Sequence, residues 1–249
     1  MDLKEVVAVR KDKTIYKEGQ NLVKVFDKNY SKSNILNEAL NQSRIEETGL
    51  NIPVLQEVTK IDGKWAIVMD YVEGKTLEVL IKENPQKTDE YLELFVKTQI
   101  EVNNKKSKLL TVLNDKILRK LEDANLSNTT KFDISSRLAG IEKHDKVLHG
   151  DFQLSNVIVD KSNKVYVVDW SHATQGNASA DAALSYILMI LMNKKDLAEK
   201  YLELYSQKTN TDVKYIQLWM PIVAASQLNK YSGAEEKLLR TFIDVVDYQ

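Results

Sequence analysis

The chain has 249 residues and no cysteine, which excludes disulfide bonds and thiolate chemistry. Hydrophobic residues make up 43% and charged residues 29%, a composition typical of globular proteins. The formal net charge is −1, from 35 basic and 36 acidic residues, so no nucleic-acid or membrane partner is expected. The longest apolar run, Ala182 to Met192, is shorter than the ~20 residues that span a bilayer. The N-terminal residues also lack the apolar core of a signal peptide, and we predict a cytoplasmic protein.

The chain up to residue 70 is predicted to form strands around one helix. Short β-prone runs separated by polar turns come first: Val6–Val9, Thr14–Tyr16 and Leu22–Phe26. Ser33 is predicted to cap a helix that contains Glu38 and Arg44 and stops at Gly49. A hairpin over residues 54–69, turned at Asp62-Gly63, completes this part.

Beyond Gly74 the pattern predicts mainly helices. Apolar residues recur at three- and four-residue spacing in the segments 88–106, 115–125 and 133–142. Two β-prone segments then pair around the polar turn 160–163, and helices return from Ala180, with breaks near Asn193, Asn210 and Gly233. We predict an α+β fold with a small β-rich part, residues 1–70, and a larger helical part, residues 71–249.

The most informative feature is a pair of motifs between residues 147 and 170. Asp151 and Asn156 follow the apolar run Val147-Leu148, and Asp169 ends the run Val165–Val168. A kinase that phosphorylates a hydroxyl group needs a carboxylate to accept the hydroxyl proton, and it needs an amide and a carboxylate to hold Mg²⁺ on the phosphates. Each aspartate alone is typical of an ordinary turn or strand end. Together, at this spacing, they predict an ATP-dependent phosphotransferase with Asp151 as the catalytic base.

These motifs resemble those of the aminoglycoside phosphotransferase and choline kinase family. The resemblance is carried by the His-Gly-Asp-x-x-x-x-Asn loop, His149–Asn156, and by Asp169-Trp170 after a hydrophobic strand. Protein kinases have arginine in place of Gly150 and Phe-Gly after the metal aspartate. The resemblance therefore implies a bilobal protein-kinase-like fold, with a small β-rich N-lobe and a larger helical C-lobe, and a small-molecule hydroxyl substrate.

The resemblance also implies roles for residues outside the two motifs. Lys24 matches the lysine that contacts the α- and β-phosphates, and Glu38 matches the glutamate that orients this lysine through an ion pair. Lys24 alternates with apolar neighbours on a strand, which suits a side chain that points into a cleft. Glu46 and Glu47 are alternatives for the pairing role. The cofactors implied are ATP (or GTP) and Mg²⁺, the metal held by Asn156 and Asp169.

The segment 67–74 resembles the hinge that holds adenine. Backbone groups of Asp70 and Val72 are expected to bind the base, with Met69 lining its pocket. Asp181 matches an aspartate that braces the catalytic loop, although a helix N-terminal position explains it equally well. His149 is expected to brace the catalytic loop backbone. The chain is expected to be a monomer or a homodimer.

One departure from the family pattern favours a second function. The turn expected to cover the phosphates, Arg10–Lys13, contains no glycine, although glycine usually lets backbone N–H groups approach phosphate closely. A nucleotide-binding pseudokinase or scaffold without turnover is therefore the alternative. The intact set of Asp151, Asn156 and Asp169 favours the enzyme.

A metal phosphohydrolase is a further alternative to the kinase. Within the kinase prediction, the identity of the acceptor is also open. A His-Asp metal centre built on His144-Asp145 requires another histidine upstream, and the sequence has none. Tyr215 and Trp219 share a helix face and can enclose a quaternary ammonium group, although such a stripe is more often core. Polycationic acceptors instead require an acidic cluster, for which the candidates are Glu235, Glu236, Asp244 and Asp247.

Overall fold

The structure, a computed structural model, describes residues 3–244, and the candidate acid Asp247 lies outside them. Contacts divide the chain into two compact units. The first contains the chain up to Pro85 together with Leu154–His172, and the second contains Gln86–Gln153 together with the chain from Ala173 onward. This grouping differs from the predicted lobe boundary between residues 70 and 71. That boundary stays a prediction.

The first unit is built on a five-stranded antiparallel sheet in the order β1-β2-β3-β5-β4. Its strands are β1 (Glu5–Val9), β2 (Lys13–Glu18), β3 (Asn21–Phe26), β4 (Leu55–Ile61) and β5 (Lys64–Asp70). Side chains on a strand alternate between the two faces, so β3 and β5 supply apolar residues to both. One face carries a cluster around Phe26 and Ile67, and the other carries a cluster around Val23 and Val68.

Helix α1 (Lys32–Glu46) packs against β4 and β5 of this sheet. The predicted cap at Ser33 is wrong, because the extended residue that precedes the helix is Ser31, whose side chain makes no capping hydrogen bond. The hydroxyl groups of Ser31 and Ser33 instead lie 2.8 Å apart. Ile35 and Ala39 join the same apolar cluster as Phe26, which fixes the helix on that face of the sheet.

A second, three-stranded sheet completes the first unit. It has the order β6-β8-β9, formed by β6 (Gly74–Thr76), β8 (Val157–Asp160) and β9 (Val165–Val167). The predicted pairing around the turn 160–163 is present in β8 and β9. The sequence did not predict β6 or the helix α2 (Leu77–Glu83) that follows it. Gly74 lies so close to the Val159 carbonyl that a side chain at this position would force the strands apart.

Helices dominate the second unit. They are α3 (Thr88–Asn103), α4 (Leu113–Asp123), α5 (Asn128–Gly140), α6 (Ala178–Leu191), α7 (Lys195–Thr209), α8 (Val213–Gln217), α9 (Met220–Gln227) and α10 (Ala234–Ile243). A two-stranded sheet joins β7 (Lys146–Leu148) to β10 (Thr174–Gly176). The sequence did not predict this second pairing, in which β7 takes β10 as its partner.

Helix α6 lies at the centre of this unit. It packs against α7, α8 and α9, and eleven of its fourteen residues are buried. A helix that is apolar on all sides is buried on all sides, which explains the run from Ala182 that the sequence shows. Within residues 3–244 the structure contains no helix of the length and apolarity needed to cross a membrane.

The predicted breaks in the C-terminal helices are present, and one further break is not predicted by the sequence. Asn193 and Asn210 adopt left-handed backbone conformations, with φ of 58° and 51°, and Asn210 ends α7. Asparagine tolerates this conformation better than most residues, which explains why the helices stop there. The additional break, at Leu218 and Trp219, separates α8 from α9. Pro221 follows it, near the start of α9.

Candidate active site

Four charged side chains of the first unit meet beside the central strand β3. The Lys24 Nζ atom lies 2.6 Å from Glu38 Oε1 and 3.2 Å from Asp169 Oδ1. The Lys13 Nζ atom lies 3.2 Å from Glu38 Oε2 and 3.9 Å from Asp169 Oδ1. We call Lys13, Lys24, Glu38 and Asp169 the ion-pair cluster. Of the predicted site residues, the structure thus brings Lys24, Glu38 and Asp169 together.

Because Lys24 and Glu38 are buried, the charges of the ion-pair cluster interact strongly with one another. Lys24 and Glu38 are each 5% exposed, and salt screens such pairs much less than it screens surface charges. Burial by itself lowers the pKa of the Lys24 ammonium, but the carboxylates of Asp169 and Glu38 together hold that pKa above its usual range. Lys24 therefore carries a fixed positive charge at every physiological pH.

The sheet register explains how a buried strand presents a lysine. Lys24 pairs with Ile67 of β5, and Leu22 pairs with Met69. Because paired residues point to the same face, Lys24 and Met69 both lie on the face that α1 partly covers. Glu38 extends from α1 toward this face, where Lys24 satisfies its charge.

Glu46 and Glu47, the alternatives for the pairing role, lie elsewhere. The Glu46 carboxylate accepts a hydrogen bond from the Leu55 backbone N–H at 2.7 Å, which ties the end of α1 to the start of β4. Glu47 is exposed at the C-terminal end of the helix. Of the three candidates, Glu38 is the one that the structure pairs with Lys24.

Asp169 lies in an unusual backbone conformation. Its φ of 66° places a residue other than glycine in the left-handed region, which is uncommon and concentrated at functional sites. The adjacent chain is tied down on the N-terminal side, where the Val168 N–H donates to the Asn156 carbonyl at 3.0 Å. On the other side the Trp170 indole N–H donates to the Val167 carbonyl at 3.0 Å. These bonds hold the Asp169 carboxylate, whose side chain is 35% exposed.

Lys13 is a member of the cluster that the sequence did not identify. It lies at the start of β2, next to the glycine-free turn that closes through a hydrogen bond from the Arg10 N–H to the Lys13 carbonyl at 2.8 Å. The signal available in the sequence was the position of Lys13, because it ends the turn that is expected to cover the phosphates. Sequence alone does not reveal that its last lysine turns back toward Glu38.

The predicted hinge follows β5 directly. The Asp70 N–H donates to the Val54 carbonyl at 3.0 Å, and the Tyr71 N–H donates to the Gln20 carbonyl at 2.8 Å. Asp70, Tyr71 and Val72 also border a cavity of about 500 Å³ within the first unit. Met69, the predicted pocket residue, is 4% exposed and belongs to the apolar cluster under α1.

In the second unit, Asp151 lies on a loop whose backbone is held by the Asp181 side chain. The Asp181 carboxylate accepts hydrogen bonds from the His149 N–H at 3.2 Å and from the Gly150 N–H at 2.8 Å. Gly150 has a φ of 74°, a conformation that other residues adopt only with strain. The Asp151 carboxylate accepts a hydrogen bond from the Gln153 side-chain amide at 2.6 Å. Asp181 thus acts as the brace that the family resemblance implied.

His149 supports the same loop from its own side chain. The ring is fully buried, and its Nδ1 atom accepts a hydrogen bond from the Asp151 N–H at 3.2 Å. The edge of the ring packs against Phe152. His149 is therefore placed to set the orientation of the backbone that carries Asp151.

A buried polar network anchors the residues that flank this loop. The Ser185 hydroxyl donates to the Phe152 carbonyl at 2.9 Å and accepts from the Gln99 amide at 3.1 Å. The Tyr201 hydroxyl in turn donates to Gln99 at 2.6 Å. Because polar groups buried without partners cost free energy, this chain through α3, α6 and α7 holds the loop in one arrangement.

The aromatic and acidic residues considered for acceptor binding are mostly engaged elsewhere. Trp219 is 1% exposed, so it belongs to the core. The Tyr215 hydroxyl accepts a hydrogen bond from the Asn177 amide at 2.7 Å. Glu236 forms an ion pair with Arg240 at 2.7 Å. The core interpretation of the aromatic stripe is thus the one that the burial of Trp219 supports.

Within residues 3–244 no group of three or more histidine, cysteine or acidic side chains is arranged to hold a metal ion. The His144 Nε2 atom lies 3.5 Å from the Glu142 carboxylate, on the surface. A magnesium ion that is held by one or two side chains together with phosphate oxygens does not require a cluster of this kind.

Comparisons with known proteins place the chain in a family. A family model described as the phosphotransferase enzyme family matches residues 13–212, which is most of the chain. No curated protein matches the sequence at a significant level. The matched range includes all the predicted catalytic, cofactor and metal residues.

Solved structures of the same fold are numerous but distant in sequence. A thermostable mutant of aminoglycoside phosphotransferase APH(4)-Ia in apo form is 12% identical, over 98% of this chain and 94% of that chain, with a TM-score of 0.70. The same enzyme has been solved as a ternary complex with AMP-PNP and hygromycin B. Choline kinase LicA from Streptococcus pneumoniae is 14% identical, over 98% of this chain and 92% of that chain, with a TM-score of 0.66. The predicted α+β, kinase-like fold is confirmed.

Proposed function

The chain belongs to the phosphotransferase enzyme family and is a small-molecule kinase, and from this premise we propose that it transfers the γ-phosphoryl group of ATP to a hydroxyl group. In this step the hydroxyl oxygen forms a bond to the γ-phosphorus, and the bond from that phosphorus to the bridging oxygen of ADP breaks. ADP leaves with the electron pair of that bond, and the hydroxyl proton passes to the Asp151 carboxylate.

The observation that carries this proposal is the ion-pair cluster of the first unit. Lys24 lies within 3.2 Å of both Glu38 and Asp169, so a fixed ammonium group and a carboxylate stand side by side. Phosphoryl transfer depends mainly on positioning and on charge stabilisation, and a lysine oriented by a glutamate supplies both. We assign Lys24 to the donor phosphates and Glu38 to the orientation of Lys24.

The same cluster contains an oxygen donor suited to magnesium. Asp169 offers a partly exposed carboxylate. Asn156 offers a side-chain amide oxygen, and its backbone carbonyl accepts a hydrogen bond from the Val168 N–H on the segment next to Asp169. Mg²⁺ prefers such hard oxygen ligands and, when bound to ATP, neutralises charge on the transferred phosphoryl group. Asn156 and Asp169 are the residues of this chain that would hold it.

The role of the loop in the second unit is to present the base. Asp151 is held by His149 on one side, and its backbone neighbours are held by Asp181. A carboxylate fixed in this way keeps its orientation when the acceptor binds, and general base catalysis contributes ~10²–10⁴-fold in rate. Met69 and the backbone of Asp70 and Val72 are proposed to bind adenine.

The experiment is an ADP-release assay on the purified protein with ATP, Mg²⁺ and a panel of hydroxyl-bearing metabolites. We expect at least one acceptor to accelerate ADP release, and Asp151→Asn to reduce that release by ~10²-fold or more while the affinity for ATP is unchanged. Asp196→Asn, the same change at an exposed position on α7, is the matched control and should leave the release unchanged. Full activity of Asp151→Asn would remove Asp151 from the mechanism.

One structural observation favours the second candidate, a nucleotide-binding protein without turnover. The turn at Arg10–Lys13 has no glycine, and its last residue, Lys13, contacts the Glu38 carboxylate. In this candidate, Lys13 and Lys24 hold a nucleotide for a binding role. Tight binding of ATP–Mg²⁺ without ADP release for any acceptor would select it over the enzyme.

A further inference from the structure

Lys13 extends from the turn that is expected to cover the phosphates into the ion-pair cluster. The Arg10 N–H donates to the Lys13 carbonyl at 2.8 Å, which closes this turn. The Asp12 carbonyl accepts a hydrogen bond from the Asp27 N–H at 2.9 Å, which ties the turn to the end of β3. Backbone groups of the turn are thus engaged within the fold, and the group that the turn directs at the cluster is the Lys13 side chain.

The register of the sheet explains why the Lys13 side chain reaches the cluster. Lys13 pairs with Phe26 and Ile15 pairs with Lys24, so the two lysines are diagonal neighbours on one face. The Lys13 Nζ atom also lies 5.4 Å from the centre of the Phe26 ring, within range of a cation–π interaction. Adjacent strands therefore bring two ammonium groups to the same place.

The two lysines share the same carboxylate oxygens. Glu38 Oε1 lies 2.6 Å from Lys24 Nζ and 3.3 Å from Lys13 Nζ. Asp169 Oδ1 lies 3.2 Å from Lys24 Nζ and 3.9 Å from Lys13 Nζ. Lys13 is the more distant partner at each shared oxygen, and its side chain is 17% exposed against 6% for Lys24. Lys13 is therefore the lysine that the cluster holds less tightly and that remains accessible to a ligand.

The charges of the ion-pair cluster balance before a nucleotide binds, because two ammonium groups face two carboxylates. In the proposed function Asp169 takes part in holding Mg²⁺, and a metal ion on this carboxylate repels the ammonium groups beside it. Lys24 keeps Glu38 as its counter-charge at 2.6 Å. Lys13 instead loses the attraction of its second carboxylate, and the donor phosphates offer negative charge in its place.

The chemistry of lysine suits such an exchange of partners. Its ammonium group is a compact charge with three donors on a flexible four-carbon stem, and it binds phosphate oxygens as a point charge. A lysine at the end of the turn can therefore replace the backbone N–H groups that a glycine-rich turn directs at phosphate. This explains how a turn without glycine is compatible with the binding of a nucleotide.

We propose that Lys13 is a second binding residue for the donor phosphates, which exchanges its contact with Asp169 for phosphate oxygens when the nucleotide binds. This inference rests on the proposed function and adds a residue to its nucleotide site. The contribution of Lys13 to affinity then increases with the number of phosphate groups beyond the first.

Titration calorimetry with ATP, ADP and AMP, each with Mg²⁺ and without an acceptor, tests this role. Lys13→Met keeps the length of the side chain and removes its charge. We expect it to raise the Kd for ATP about tenfold and the Kd for ADP by less, and to leave the Kd for AMP unchanged. Lys64→Met, which removes the same charge at an exposed position on β5, is the matched control and should change none of the three constants.

Two further variants separate the charge of Lys13 from its structural contact with Glu38. Lys13→Gln is neutral but can still donate a hydrogen bond to Glu38, so it preserves the cluster if Lys13→Met does not fold. It should show the same selective loss of ATP affinity, whereas Lys13→Arg, which keeps the charge, should retain most of that affinity. Wild-type affinity for ATP in Lys13→Gln would overturn the inference and leave Lys13 as a structural partner of Glu38.

Other results of the titration would also overturn the inference. Tighter binding of ATP by the neutral variants would show that Lys13 competes with the nucleotide for the carboxylates. An equal loss of affinity for ATP and AMP would show a general disturbance of the site.

The titration requires no phosphoryl transfer, which separates failure of this inference from failure of the proposed function. If no acceptor is phosphorylated but the affinity for ATP depends on Lys13, the inference stands and the turnover is refuted. If an acceptor is phosphorylated while the neutral variants bind ATP as the wild type does, the proposed function stands and the inference is refuted.

Discussion

Lys24, buried in the first unit, and Lys116, half-buried in the second, have opposite electrostatic properties. Two carboxylates, Asp169 and Glu38, raise the pKa of Lys24, whereas burial and two neighbouring lysines lower the pKa of Lys116. The difference lies in the neighbours, not in the residue. Lys24 has two carboxylates as charged neighbours, whereas the charged neighbours of Lys116 are mainly basic: Lys120, Lys230 and Arg119, with Asp181 the one that attracts its charge.

The largest expected effect comes from removing Lys24. Lys24→Met leaves the buried Glu38 carboxylate with Lys13 as its remaining partner in the ion-pair cluster. We expect phosphotransfer to fall by about 10²-fold or more, because one preorganised donor to the phosphates is lost. We also expect a loss of unfolding free energy of up to about 3–5 kcal/mol, measured by urea denaturation. Lys64→Met, exposed on β5, is the control and should change neither quantity.

A smaller effect is expected from Asp181, the carboxylate that both braces the catalytic loop and faces Lys116. Asp181→Ala leaves the buried His149 N–H and the part-buried Gly150 N–H without their acceptor, at about 1–3 kcal/mol for the buried group and less for the other. We expect kcat to fall while KM for ATP is unchanged. Asp181→Asn retains one acceptor oxygen and should recover part of the stability. Wild-type kcat in Asp181→Ala would show that the brace is not needed.

Lys116→Met should have the opposite sign to Lys24→Met. Removal of a crowded ammonium group relieves repulsion from Lys120 and Lys230, so we expect a gain in stability. A gain of about 1 kcal/mol would raise Tm by about 2–4 °C in a chain of this length. Calorimetry at pH 6 without phosphate measures the change. A loss of stability as large as that of Lys24→Met would remove the contrast between the two lysines.

The last comparison concerns the dependence of stability on pH. Lys116 has a pKa of about 7 in the folded protein and 10.5 as its ordinary value. Between these values the unfolded chain binds more protons than the folded chain, so this lysine makes stability rise with pH from about 7 toward 10. Lys120 and Lys230, Arg119 and Asp181 are the charged groups that face it.

The Lys24 contribution behaves differently over the same range. Its raised pKa stabilises the folded protein at every pH below the ordinary lysine value of 10.5, and that contribution is lost only at higher pH. Urea denaturation of the wild type at pH 6.5 and 9 should therefore show a rise in stability to which Lys116 and Lys120 contribute and Lys24 does not. In Lys116→Met the rise should be smaller; an unchanged slope would assign it to other groups.

Much of the first unit could be predicted from the sequence because its signals are local. Alternation of apolar residues indicates strands, and the order of three strands, one helix and two strands is the order observed. The β6 strand was missed because three residues that include glycine and lysine carry no strand pattern. The cap of α1 was predicted at Ser33, but Ser31 is the same residue type two positions earlier, and only the backbone shows that the helix begins after Ser31.

The sequence by itself determined which residues are predicted to carry the chemistry, Asp151, Asn156 and Asp169, because this prediction depends on short-range spacing within two motifs. The family resemblance suggested Lys24 and Glu38 as partners, but Glu46 and Glu47 stayed open. Only the tertiary structure decided among them, since the pairing depends on which face of α1 meets the sheet.

The electrostatic environment of Lys116 was decided by tertiary structure. Lys120 lies one turn away on α4, but Lys230 and Asp181 come from distant parts of the chain. Isolated lysines on a helix predict a solvated surface, and no pattern along the chain indicates which charges act on Lys116. Charge is a property of each residue in the sequence, whereas its effect depends on which charges the fold brings together.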